Sequence, residues 1–264
     1  MKTFLRKLIN KVVFNNGARG YTRSVGHVEY RVESLNDLLF ARNRITNGLG
    51  YNLEWIKDYH ENQRPIKLIV DLGCNVGWFN LWLDYHLDYM FKPKIIAVDA
   101  NPKVLETCRK NFSLNLLSSR LVYNCIIGFP EFTDKMTFKV HPSSEASSYF
   151  SKLLPKTGYN SVKFVNVPTI GLKELVESHR HIDKVVIDLL KIDIEGAEIL
   201  LLQSSMDWIN QHVNKLIVEW HKPVTDPSSI KLIVGQDRHF RWNPVDTDLT
   251  ALCGVLYFTR LDQL

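Results

Sequence analysis

The chain has 264 residues, 45% hydrophobic and 23% charged, enough for one large buried core and ordinary for a globular protein. Lys plus Arg exceed Asp plus Glu by 33 − 28 = 5 with no long basic run, so a nucleic-acid partner is not expected from composition. The 4 cysteines, Cys74, Cys108, Cys125 and Cys253, form no C-x-x-C pair, which argues against a zinc module and for reduced thiols in a cytoplasmic protein.

No apolar run reaches the ~18 residues of a bilayer span. Phe4, Leu5, Leu8, Ile9, Val12, Val13 and Phe14 recur at helical spacing between Arg6, Lys7 and Lys11. That pattern predicts a basic amphipathic helix over residues 2–14, docked on the domain or making peripheral membrane contact. Tyr21 to Val32 reads as a short strand or hairpin, Ser34 as the cap of a helix to about Arg42, and Leu49 to His60 as a second helix. Pro65 closes an N-terminal extension, residues 1–65, expected to pack as a cap on a core spanning 66–264.

The core opens with LIVDLGCNVGWF. Leu68, Ile69 and Val70 suit a strand buried on both faces, Gly73 and Gly77 a tight loop, and Trp78 onward a helix to about Tyr89. A dinucleotide loop would be G-x-G-x-x-G, with bare N–H groups facing a pyrophosphate. Here the pattern is D-x-G-x-x-x-G, and the Asp71 carboxylate disfavours an anion. A cationic ligand fits better, and S-adenosylmethionine carries both an ammonium and a sulfonium.

Ile95 to Val98 is the second strand, ending at Asp99, Ala100, Asn101 and Pro102. Asp99 lies 28 positions beyond Asp71, so the two acids fall at neighbouring strand ends, where the second can accept hydrogen bonds from both hydroxyls of a ribose. Its alternative role is to cap the helix Pro102 to Phe112. Leu121 to Tyr123 makes a third strand, placing Asn124 where an adenine would lie, or in a turn. Met136 to Val140 reads as an extra strand, Ser147 and Ser148 as loop serines able to bond a ligand, and Leu172 to Ser178 as a helix.

IDLLKIDIEGAEILLLQS is the second informative stretch. Leu189 to Ile194 suits a buried strand, and Gly196 breaks it before a helix from Ala197 to Gln203. If the strand continues, Asp193 and Glu195 point the same way, with Glu198 on the first helical turn. Crowded carboxylates raise one another's pKa values and can yield a base near neutral pH; Glu198 is the one best explained by the helix dipole alone. Two acids without a nearby His leave a metal open, but none is assigned. Leu216 to Val218 is the fifth strand, with Glu219 and His221 sharing a face at its end, and His221 is either a base or a structural partner of Glu219. Phe240 to Trp242 and Gly254 to Arg260 pair as a final antiparallel hairpin.

Together VDLGCNVGWF, AVDANP, LKIDIEGAE and LIVEWH, in that order, resemble the FkbM family of S-adenosylmethionine-dependent methyltransferases, within the class I methyltransferase fold. The resemblance implies a doubly wound α/β sheet of seven mostly parallel strands with the antiparallel C-terminal hairpin. It implies methyl transfer to a hydroxyl, often of a sugar or natural product, so the expected partner is a small-molecule or glycan acceptor. It places Asp71, Gly73, Asn75 and Gly77 around the methionine part of the cofactor and Asp99 at its ribose; Trp78, Ala100 and Asn124 complete the expected cofactor-binding group. Asp193, Glu195 and His221 are then the candidate catalytic residues, with His221 or Glu195 as base and Asp193 positioning the acceptor or the cofactor amine. Cys74 stands where the family usually has Ala, and Asp99-Ala100 where it has Glu-Pro. A metal-dependent O-methyltransferase and a non-catalytic scaffold are the competing readings.

Overall fold

Strand β3 (Leu68–Leu72) is buried at every position, as its run of branched apolar side chains requires for a central parallel strand. A computed structural model describes residues 20–33, 35–63, 65–87, 93–117, 121–127, 135–140, 163–178, 186–236, 239–243 and 248–261. The expected helix over 2–14, Ser34, Ser147 and Ser148 lie outside the described residues. Beside β3 run β4 (Lys94–Asp99) and β5 (Leu121–Asn124) on one side. On the other run β9 (Ile187–Ile192) and β10 (Val213–His221), all parallel. The last strands, β11 (Phe240–Asn243) and β12 (Cys253–Arg260), pair antiparallel, and β12 joins β10 to give a seven-stranded sheet of order β11-β12-β10-β9-β3-β4-β5. The α/β class, the parallel core and the antiparallel C-terminal pair match the expectation from sequence.

Each face of this sheet carries a hydrophobic core. Val70, Leu190, Ile192 and Val218 pack under α5 (Leu172–Glu177), α6 (Glu198–His212) and α7 (Pro227–Gln236), with Leu175, Leu201 and Ile230 among the helical contacts. Ile69, Leu189, Ile217 and Tyr257 face Ile56 of α2 (Leu53–Asp58), Phe79 and Trp82 of α3 (Trp78–His86), and Leu105 and Phe112 of α4 (Pro102–Leu114). Alternate residues along β3 and β9 therefore serve opposite cores, the consequence of a period of two in a sheet covered on both sides.

The N-terminal segment is a hairpin, β1 (Tyr21–Val25) and β2 (Val28–Val32), followed by α1 (Leu35–Asn47). Val28, Tyr30, Val32, Ala41 and Ile45 bury against Val76, Trp78, Leu81 and Val104, so this segment seals the outer side of α3 and α4. Helix α1 continues past Arg42 because Ile45 extends its buried face. The single helix expected over Leu49 to His60 is instead a 3₁₀ turn (Gly48–Gly50), α2 and a π turn (Tyr59–Gln63). Gly48 and Gly50 take positive φ of 65° and 89°, which stops the helix, and Asn52 restarts it by accepting from Trp55 N at 2.7 Å.

Between β5 and β9 a second sheet forms from β6 (Ile126–Ile127), β7 (Lys135–Val140) and β8 (Lys163–Ile170), in the order β6-β8-β7. Strand β8 was not anticipated from sequence, since Pro168 and the polar Asn166 obscure its apolar alternation around the buried Val167. Helix α6 runs to His212 rather than Gln203 because Met206 and Ile209 continue its buried stripe.

Candidate active site

The glycine loop is bent back over the sheet by its own backbone. Gly73 N and Cys74 N both donate to Val98 O, at 2.8 and 2.9 Å, tying the loop to the end of β4. Gly73 has φ 79°, and a Cβ there would overlap the carbonyl oxygen of Asp193, so its missing side chain admits the backbone leaving β9. Gly77, at φ 92°, opens α3 where a Cβ would press on Phe112 and Cys108. The sequence places both glycines in a tight loop beside the cofactor; at Gly73 the space of the missing side chain is taken by the Asp193 carbonyl.

Asp71 also departs from expectation. Its carboxylate is fully buried, accepts from Asn80 Nδ2 at 2.6 Å and pairs with Lys191 Nζ at 3.2 Å. It therefore braces the loop from beneath and offers no surface to a ligand. Trp78 likewise leaves the predicted cofactor group: it is buried among Val28, Tyr30 and Leu81, with the Arg44 guanidinium 5.4 Å from its ring. At the first helical position of α3, Trp78 meets the N-terminal hairpin, its ring 6.2 Å from that of Tyr30.

Asp99 sits at the end of β4 beside the loop. Its Oδ2 accepts from Asn75 N at 3.0 Å and its Oδ1 from Asn101 N at 2.8 Å. The alternative role as helix cap falls to Asn101, whose side chain accepts from Lys103 N. Burial raises the Asp99 pKa to about 6 despite the two backbone donors. Asn75, in the left-handed region at φ 51°, and the half-exposed Ala100 flank it, and Asn124 is its register partner on β5.

The other half of the site lies where β9 and β10 end. Strand β9 stops at Ile192, so Asp193 and Glu195 are not successive strand positions; Asp193 N donates to Leu72 O and Glu195 occupies a turn at φ 53°. Lys191, unremarked in the sequence, is the organising cation: its buried ammonium donates to Gly73 O at 3.2 Å and Asp193 Oδ2 at 3.1 Å while pairing with Asp71. Burial opposes that charge, but Asp193, Asp71 and Glu219 hold its pKa above the ordinary lysine value. A lysine inside the apolar run LLKI was itself a signal, since a buried ammonium needs paired anions.

Glu198 is turned inward. Fully buried, it accepts from Ile194 N, Gly196 N and Thr225 Oγ1, locking the turn after β9 to the chain beyond β10. Glu219 and His221, on one face of β10, meet at 3.4 Å between Oε1 and Nε2. Tyr51, from the N-terminal segment and unforeseen in sequence, donates to Glu219 Oε2 at 3.1 Å.

These neighbours set the charges. Burial, with the Glu219 charge adding to it, raises Asp193 to about 8. Burial also lifts Glu195 to about 6, Glu219 adding and His221 opposing. For His221 burial works the other way, but the Glu219 hydrogen bond and the Glu195 and Asp193 charges outweigh it and raise its pKa to about 10. Glu219 is held below the usual range, the His221 contact and the Lys191 charge overcoming its burial. Asp193, Glu219 and His221 place one ligand atom each within 4.8 Å, so a His does stand near the acids, against the expectation from sequence. Lys191 and the His221–Glu219 pair already occupy those charges, which makes the group a poor metal cage.

Taken together, Asp71, Asp99, Asp193, Glu195 and Glu219 outnumber Lys191 and His221 along one sheet edge. That edge suits a cationic ligand carrying a ribose. No helix among the described residues is long and apolar enough to cross a membrane.

No curated protein matches this sequence. Among solved structures, the chain is similar to a TehB-like SAM-dependent methyltransferase from Corynebacterium glutamicum, at 11% identity and TM-score 0.42, covering 85% of this chain and 96% of that one. It is similar to an rRNA methylase from Streptococcus thermophilus, at 10% identity and TM-score 0.45, covering 81% and 98%. The N-terminal domain of human METTL16, solved in complex with SAH, aligns at 11% identity and TM-score 0.44, covering 78% and 68%. Residues 71–241 match the family described as Methyltransferase FkbM domain. The chain belongs to the FkbM methyltransferase family and is an S-adenosylmethionine-dependent methyltransferase.

Proposed function

We propose that this enzyme methylates a hydroxyl oxygen of a small-molecule or glycan acceptor, with Glu195 as the base. The observation that carries this reading is the convergence of Asp193, Glu195, Glu219 and His221 where β9 and β10 end. A hydroxyl must lose its proton as it attacks, and a group with a pKa slightly below the working pH serves best. Glu195, raised to about 6, is ionised at neutral pH and still basic. Burial raises Asp193 as well, and its carboxyl, held by Lys191 Nζ at Oδ2, can position the acceptor in line. His221 is cationic at neutral pH, its Nε2 is directed at Glu219 and its Nδ1 is buried, so it serves as a counter-charge that keeps Glu219 ionised.

S-adenosylmethionine, when bound, supplies the electrophilic methyl group on its sulfonium. Asp99 would hold the ribose, with Asn75 and Ala100 beside it and Asn124 on the adjoining strand end. The glycine loop, braced by Asp71 and Lys191, presents this shelf rigidly, and the carboxylates of the edge favour the cation. Calorimetric titration with S-adenosylmethionine, followed by incubation with the methyl-labelled cofactor and a panel of glycans, lipids and polyketide alcohols, tests the proposal. Binding that weakens at least tenfold in Asp99→Ala, with label in an alkali-stable methyl ether, supports it. Unchanged affinity of Asp99→Ala overturns the ribose assignment; label on nitrogen or on RNA overturns the acceptor class, and loss of transfer with a chelator overturns the metal-free reading.

A further inference from the structure

We propose that Tyr51, which lies outside the matched methyltransferase region, is a positioning residue of the active edge, its hydroxyl fixing the Glu219 carboxylate in the orientation that holds His221. This rests on the assignment of that edge as the site of methyl transfer. The phenol donates to Oε2 of Glu219 while His221 Nε2 faces Oε1, so the two donors grip opposite oxygens of one carboxylate.

The turn that delivers Tyr51 is anchored far more firmly than a surface connection requires. Gly48 lies so close to Trp82 that a Cβ would overlap the indole, and Tyr51 N donates back to Gly48 O at 2.8 Å. The Tyr51 ring stacks edge-on against Phe79 at 4.9 Å and lies 5.6 Å from Trp82. On the far side Tyr257 of β12 grips the same turn: its hydroxyl accepts from Asn52 N at 2.8 Å and donates to Gly50 O at 3.4 Å. Elements α3, β10 and β12 thus converge to place one hydroxyl. A phenol that needed only some partner could have found a backbone carbonyl; this one meets the residue that pairs with His221.

The test uses the full chain labelled with ¹⁵N-histidine, the His221 ring being assigned by its disappearance in His221→Asn. The Nε2 proton held by Glu219 should be a downfield resonance protected from exchange with water. Tyr51→Phe keeps the ring and removes the hydroxyl, and should speed that exchange roughly ten- to a hundredfold, the opening expected from losing one hydrogen bond to a charged group. In a Glu219→Gln background the same substitution should add nothing. Should Tyr51→Phe not fold, Tyr257→Phe, which loosens the turn carrying Tyr51, should accelerate exchange in the same direction by a smaller factor. Unchanged exchange in these variants, or equal acceleration with and without Glu219, overturns the proposal. Cofactor binding is measured separately, so failure of the methyltransferase reading would be seen there and not in the ring proton.

Discussion

Replacing Gly73 with alanine separates the two demands made on the glycine loop. At φ 79° an L side chain incurs about 1–2 kcal/mol of backbone strain. The added Cβ must also displace the Asp193 carbonyl, which forcing a methyl into a packed site makes worse by about 1–3 kcal/mol. The sum is roughly 2–5 kcal/mol, and for a chain of this size it should lower the midpoint of thermal unfolding by roughly 5–20 °C. Gly50→Ala is the control: φ is also positive there, at 89°, yet no atom lies within 4 Å of the added Cβ, so only the strain of about 1–2 kcal/mol applies. Thermal unfolding followed by circular dichroism compares the pair directly. Equal losses in the two variants would refute the close approach of the β9 exit to the loop, and with it the claim that Gly73 is there for packing.

Two further outcomes follow from the buried charges. Glu195→Gln should leave S-adenosylmethionine affinity near wild type and abolish transfer to a hydroxyl. In the wild type the rate should climb as pH rises through about 6, because the ionised form is the active one and burial has moved the group up to that range; a rate flat from pH 5 to 7 would count against Glu195. Lys191→Met should destabilise the chain by about 3–5 kcal/mol by leaving Asp71 buried without its counter-charge, and Asp71→Asn added to it should recover much of that loss in urea melts. If the double variant is as unstable as the sum of both single variants, the pair is not a coupled unit.

Much of the fold was readable because its signals are local. The apolar runs at Leu68, Ile95, Leu189 and Leu216 each lead into an acid at or near the strand's carboxyl end, and a glycine or proline close by marks the turn that follows. Motif spacing therefore located the sheet edge and brought Asp99, Asp193, Glu195 and His221 to it. What spacing could not reveal was which carboxylates face a ligand. Asp71 and Asp99 look alike in sequence, but Lys191 from a strand 120 residues later seals the first and leaves the second at the edge. Tyr51 was equally hidden, since nothing in GLGYN distinguishes a phenol destined for β10 from one on a surface turn. His221 was visible as a histidine at the active edge; its charge state depends on burial and on Glu219, Glu195 and Asp193, two of them from beyond β9, and could not be read from its position.

The grip of Tyr257 on the turn at residues 50–52 spans 205 positions of chain. The turn is therefore a junction between distant parts of the chain: Phe79 and Trp82 of α3 back it on one side, and Tyr257 of β12 pins it on the other. A chain clipped before β12 would keep the first set of contacts and lose the second, so Glu219 would feel the loss through Tyr51 while the glycine loop, tied to Val98, would not.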